Sequence, residues 1–199
     1  MKKMNAEIET KKGRMPLLIK GKKLSSASIQ IDIPSAQIKS GILLAALNTK
    51  GTTNVTENNI TRDHTEIMLQ AFGADILVES NDNKKLIKIN GGKELKSQNI
   101  NVPSDLSSSS FFIVAALINE KSHIIVENVN INPTRNGILI ALKKMGARIS
   151  LLNKRILNNE EVCDIEVFSS ELKGCDLDSS LAKLMIDEYP ILSIAASFA

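Results

Sequence analysis

A phrase that returns twice constrains this chain more than any other feature of it. Leu69-Gln70-Ala71-Phe72-Gly73-Ala74-Asp75-Ile76 reappears as Leu142-Lys143-Lys144-Met145-Gly146-Ala147-Arg148-Ile149. Met1-Lys2-Lys3-Met4-Asn5-Ala6-Glu7-Ile8 opens the chain in the same pattern. Each copy has the form of a last helical turn running into a strand. Gly73 and Gly146 stand where a helix C-terminus takes a left-handed residue, and Asn5 is the next best residue for that conformation. The copies lie 68 and 73 residues apart (5 to 73, 73 to 146), so the chain carries a repeat of about 70 residues. It begins in mid-unit, so a truncated or fragmentary chain is expected.

One unit can be followed through its punctuation. Glu7 to Glu9, Leu17 to Gly21 and Ile29 to Ile33 are short β-like runs broken by Gly and Lys. Pro34 and Ser35 then open a helix in which Ile38, Ile42, Leu43, Ala46 and Leu47 recur at helical spacing. Thr49-Lys50-Gly51 is a turn, Thr52 to Val55 a strand, and Thr61 to Phe72 a second helix. The pattern returns as Ile87 to Ile89, Ile100 to Val102, a helix from Ser104, Ser122 to Glu127, a helix from Thr134, and Arg148 to Leu152. A third unit begins at Cys163 to Phe168 and ends in the helix after Asp187. Two helices alternating with strands in each unit predict an α/β fold, and the hairpin-like strand pairs predict sheets that are not purely parallel.

The helix starts are polar in a repeated way. Aligning the paired alanines places Gln37, Ser107 and Asp187 at one position in three successive helices. Ser35 is a natural N-cap, and free backbone N–H groups at the positive end of a helix suit an anion. Each start alone is explained by an ordinary capped core helix. Thr61-Arg62 and Thr134-Arg135, 73 residues apart, place an Arg at two further helix starts. A cation is unfavourable there unless an anion lies beside it, and Arg offers a rigid fork to phosphate or carboxylate. His64, between Asp63 and Glu66, reads as a structural hydrogen-bonding residue, and His123 as a solvent-facing strand residue.

Bulk properties narrow the function. Aromatic residues make up 3% with no Trp, and the net charge is +3 with lysines scattered, as in Lys84-Lys85 and Lys143-Lys144, which read as solvated faces. That argues against a base-stacking or basic nucleic-acid surface. The longest apolar run, Phe111 to Ile118, is too short to span a membrane, and Met4-Asn5-Ala6-Glu7 supplies no signal-peptide core. Cys163 and Cys175 have no metal-type spacing and point to a reducing compartment, so a cytoplasmic location is expected.

Four motifs then resemble one family. Ser35-Ala36-Gln37-Ile38-Lys39-Ser40, Arg62-Asp63-His64-Thr65-Glu66, Asn132-Pro133-Thr134-Arg135 with Met145-Gly146-Ala147, and Ile186-Asp187-Glu188-Tyr189-Pro190-Ile191-Leu192 are similar to the 5-enolpyruvylshikimate-3-phosphate synthase family, in its bacterial type with reduced glyphosate sensitivity. The resemblance implies an inside-out α/β barrel of repeated βαβαββ units in two domains. Residues 1–103 would be the C-terminal part of the first domain and residues 104–199 the N-terminal part of the second. It implies transfer of the enolpyruvyl group of phosphoenolpyruvate to the 5-hydroxyl of shikimate 3-phosphate, with no metal or cofactor, in a family monomeric at full length. Ser35, Ala36, Gln37, Arg62 and Asp187 would bind shikimate 3-phosphate. Gln37 would also lie near phosphoenolpyruvate, and Asp187 would be the base for the 5-hydroxyl proton.

Ser104 departs from the Gly that the family carries after the proline. The family's other Lys, Arg and Glu residues that hold phosphoenolpyruvate lie outside these residues, so the purified chain is expected to show no turnover; a rate comparable to an intact enzyme would refute that. Three rival readings stand beside this one. One is the sister transferase acting on UDP-N-acetylglucosamine, whose reactive Cys loop Cys163 and Cys175 do not resemble. The others are a non-catalytic fragment or pseudoenzyme of the family, and an RNA-processing protein of related repeat architecture.

Overall fold

The computed structural model describes residues 1–81 and 84–199. The chain divides into two compact units, Met1–Gln98 and Asn99–Ala199, each with its own apolar core.

In the first unit, β1 (Glu7–Lys11) and β2 (Arg14–Lys20) form an antiparallel hairpin. β3 (Ser28–Ile31), α1 (Ala36–Ala46), β4 (Gly51–Glu57), α2 (His64–Ala71), β5 (Asp75–Asn81) and β6 (Lys84–Gly91) follow, and the sheet runs β3-β4-β6-β5. β3 and β4 are parallel, an arrangement that needs a crossover such as α1 between them, and the other pairs are antiparallel. The mixed α/β order read from the repeat is therefore present. Alternate side chains of β3 and β6 (Ile29, Ile31, Ile87, Ile89) pack with Val55, Ile42, Leu43, Ala46 and Leu69. Asn5, Gly73 and Gly146 all have left-handed backbone, at φ 67°, 77° and 90°. The repeated turn is thus the same physical object three times.

The second unit holds α3 (Leu106–Ile118), β7 (His123–Asn130), α4 (Gly137–Lys144), β8 (Arg148–Leu157), β9 (Glu160–Phe168) and α5 (Tyr189–Ser197). Two 3₁₀ turns, Ser179–Leu184 and Ile186–Glu188, precede α5. The sheet order is β7-β9-β8, all antiparallel.

Four sequence expectations are corrected here. Residues 100–102 are not a strand; only Ser104 pairs, in parallel, with Val129. Ile100 and Val102 are exposed, so no buried face pulls them onto the sheet, and Pro103 has no N–H to give the ladder. The third helix starts at Leu106 behind an Asp105 cap, not at Ser104. Thr61-Arg62 and Thr134-Arg135 precede their helices, which begin at His64 and Gly137 behind Asp63 and Asn136. Lys85 does not lie on a solvated face but is buried.

Asp164 anchors the second sheet where its register shifts. Its carboxylate accepts from Asn128 N (2.9 Å), Asn153 Nδ2 (2.9 Å) and Arg155 Nη2 (3.1 Å), and Asn128 and Asn153 both have positive φ. The Asn128 N–H bond, then the Asn153 amide and Arg155, hold its pKa down to about 2 from 3.8. A carboxylate lowered by folding stabilises above its unfolded pKa, and that contribution fades as pH falls from about 4 towards 2. Asp164→Asn is expected to make the acid limb of the second unit's stability shallower over that window, followed by circular dichroism in denaturant titrations. An unchanged slope would remove Asp164 from the account.

Candidate functional site

Two loops of the first unit leave the same edge of its sheet. β3 and β4 are parallel neighbours, and their last residues, Ile31 and Glu57, are paired in register. Residues 32–35 therefore run into α1 from the same end at which residues 58–63 run into α2. The carboxyl ends of adjacent parallel strands are where α/β folds place ligands.

Ser35 is the N-cap of α1. It has extended backbone, and its Oγ accepts from Ile38 N (3.3 Å) and donates to Gln37 Oε1 (3.0 Å). The N–H groups of the first helical turn have no intrahelical acceptors, so those of Ala36 and Gln37 remain for a ligand. Ser35 and Ala36 are half-buried and Gln37 is exposed. Arg62, half-buried, sits in the loop from β4 to α2.

Beneath both loops lies a buried ionic cluster that the sequence analysis did not identify. Lys39 Nζ lies 3.0 Å from Glu57 Oε2 and 2.7 Å from Glu66 Oε1, and none of the three side chains is more than 2% exposed. The Thr61 hydroxyl donates to Glu57 Oε1. Lys85 Nζ, also buried, reaches Asp63 Oδ2 at 3.4 Å and Glu66 Oε1 at 4.0 Å. Ser40 and Thr65 share a hydroxyl bond of 2.6 Å between α1 and α2. A signal for the cluster exists in the sequence. Lys39 lies three, four and seven residues before Ile42, Leu43 and Ala46, so it belongs to the stripe that faces the core. Ile38, expected on that stripe, is 47% exposed.

The second unit assembles its helix starts differently. Arg135 Nη2 donates to Asp105 Oδ1 (3.0 Å) and Ser107 Oγ (2.7 Å), and Ser107 Oγ donates to the buried Glu188. Burial pushes the Asp105 carboxyl up, but hydrogen bonds from Ser108 and the charge of Arg135 outweigh it and leave it below the usual carboxylate range. Arg135 is thus committed to protein partners. Asn132 accepts from Thr134 N and Oγ1 (2.8 and 2.6 Å) and donates to Glu160 Oε1 (2.9 Å), which holds the Arg135 loop. Gln37 and Ser107 are both the second residue of their α-helix. Asp187, aligned with them by sequence, lies instead in the 3₁₀ turn before α5, exposed, next to buried Glu188. Cys163 is buried in β9, where burial and the neighbouring Asp164 push its thiol pKa up; Cys175 is exposed. A raised pKa disfavours the thiolate at Cys163.

The family profile for EPSP synthase (3-phosphoshikimate 1-carboxyvinyltransferase) matches residues 1–199. The chain belongs to the EPSP synthase family. It is 47% identical over 202 residues to the 3-phosphoshikimate 1-carboxyvinyltransferase of Pseudomonas sp. (strain PG2982), covering 100% of this chain and 45% of that protein. It is 50% identical over 184 residues to the enzyme of the same name from Crocosphaera subtropica, covering 92% and 40%. Among solved structures, an EPSP synthase from Acinetobacter baumannii superposes with a TM-score of 0.84 at 46% identity, over 97% of this chain and 43% of that one. The enolpyruvyl transferase NikO from Streptomyces tendae shares the fold, with a TM-score of 0.68 at 16% identity, over 100% of this chain and 48% of that one. The chain thus spans about half the length of the EPSP synthases it matches. The α/β repeat read from the sequence is the EPSP synthase fold over that span.

Proposed function

We propose that this chain supplies a shikimate-3-phosphate half-site for transfer of the enolpyruvyl group of phosphoenolpyruvate to the 5-hydroxyl of shikimate 3-phosphate, releasing phosphate. The observation that carries the reading is the shared sheet edge: a Ser-capped helix start and an Arg-bearing loop leave β3 and β4 side by side. In this reading Ser35 and the N–H groups of Ala36 and Gln37 hold the phosphate at the positive end of α1. Arg62 pairs with the same phosphate through its guanidinium fork. Gln37, the exposed member, borders phosphoenolpyruvate as well. Asp187 hydrogen-bonds the ring hydroxyls and takes the proton of the 5-hydroxyl as its oxygen attacks. Holding two anionic substrates together in a positive field supplies most of the rate. The division into a first domain ending at 103 and a second starting at 104, the cytoplasmic location and the monomeric full-length state belong to the same reading.

The test is calorimetric. Shikimate 3-phosphate titrated into the purified chain is expected to bind saturably, and shikimate without its phosphate at least about tenfold more weakly, a difference of about 1.4 kcal/mol. Equal affinity for the two, or no binding by a folded chain, would overturn the half-site.

A further inference from the structure

The ionic cluster of the first unit is not required by the repeat it sits in. With the 73-residue offset that relates Thr61 to Thr134, Glu57 corresponds to Asn130 and Glu66 to Leu139. With the 70-residue offset that relates Gln37 to Ser107, Lys39 corresponds to Ser109. At these three positions the second unit carries neutral side chains, and its charges sit elsewhere: Asn130 and Asn132 donate to Glu160, and Arg135 pairs with Asp105. There Thr134 turns its hydroxyl to Asn132, whereas Thr61 turns its own to Glu57. Buried ion pairs stabilise a fold weakly at best compared with apolar residues of similar size. The buried Lys39–Glu57–Glu66 arrangement is therefore particular to the first unit and not a property of the repeat.

What distinguishes the first unit is the pair of loops at its sheet edge. Each member of the cluster lies on an element that carries or adjoins one of them. Lys39 lies on α1, two residues after Gln37; Glu57 ends β4; Glu66 lies on α2; Lys85 lies on β6 and reaches Asp63, the residue after Arg62. Thr61, the residue before Arg62, is held by Glu57. The loop bearing Arg62 is thus fixed on both sides of the arginine, and both fixings run through carboxylates to Lys39.

We infer that Lys39, Glu57, Glu66, Lys85 and Thr61 are positioning residues. Their network sets the α1 start and the Arg62 loop at one fixed separation, so that both grip a single phosphate ester. Lys39 and Lys85 also offset buried carboxylates that would otherwise repel the ligand's phosphate. The inference rests on the shikimate-3-phosphate reading above.

The experiment titrates shikimate 3-phosphate into the unmodified chain and into Thr61→Val, Thr61→Ser, Lys85→Met and, as a control, Lys88→Met. Lys88 pairs with Glu79 on an exposed part of the same unit. Thr61→Val deletes one hydroxyl with little change of shape, and Lys85→Met removes the Lys85–Asp63 contact without touching the Lys39 pairs. Each is expected to weaken binding about tenfold, the low end of what losing one charge-assisted bond costs. Thr61→Ser should restore affinity to within about twofold, which a purely structural role would not require, and Lys88→Met should bind as the unmodified chain does. The inference is overturned if either Thr61→Val or Lys85→Met, folded by circular dichroism, binds as tightly as the unmodified chain. If the unmodified chain does not bind, the half-site reading fails and the inference with it. Binding by the unmodified chain and by both variants alike sinks the inference alone.

Discussion

Lys39→Met is expected to destabilise the first unit by about 3–5 kcal/mol. The side chain is fully buried between Glu57 and Glu66, themselves 1% and 2% exposed. Methionine fills the volume but removes the lysine 3.0 Å from Glu57, and leaves Glu66 with Lys85 at 4.0 Å. Two carboxylates would then lie out of water without adequate counter-charge, and that desolvation is what the number represents. A loss of this size is a large share of the total stability of a domain, about 5–15 kcal/mol. Denaturant titration by circular dichroism measures it. The triple change Lys39→Met, Glu57→Gln, Glu66→Gln is expected to recover part of the loss, since it removes the orphaned charges with their partner. Lys88→Met, which breaks a pair whose side chains are 38% and 50% exposed, should shift stability by less than about 1 kcal/mol. A Lys39→Met chain as stable as the original would show that the cluster is not the ionic knot described.

How much of this was legible beforehand follows from the physics of each element. The repeated turn was readable because left-handed backbone admits few residues, and Asn5, Gly73 and Gly146 are the residues that supply it. Ser35 was readable as a cap because capping is a local interaction, and its Oγ does accept from Ile38 N. The facing of α1 and α3 was not readable to the same degree. Apolar residues on both sides of a helix do not say which side is buried. Ile38 is exposed on α1, Phe111 and Phe112 are exposed on α3, and Lys39, Ser109 and Ser110 are buried in their place. The partners of Lys39 and Lys85 come from three other elements, so only tertiary structure brings them together. Asp187 shows a different failure. Counting back from paired alanines preserves sequence distance, but the 3₁₀ turn Ile186–Glu188 changes the geometry at that distance and turns Glu188 inward.

The second large effect concerns Arg62, and it bears on the central claim that the first unit is a phosphate-ester site. Arg62→Ala removes a guanidinium that can make two parallel charge-assisted bonds to a phosphate. Ser35 and the α1 N–H groups remain, so the site is weakened at one wall and not dismantled. Losing a bidentate Arg–phosphate contact is expected to weaken binding about 100-fold, or about 3 kcal/mol. The measurement that tests the account most directly is calorimetric titration of shikimate 3-phosphate into the purified chain and into Arg62→Ala, with circular dichroism confirming that both are folded. The account predicts saturable binding by the first and no detectable saturation by the second over the same concentrations. Binding of equal strength by both chains, or by neither, would contradict it.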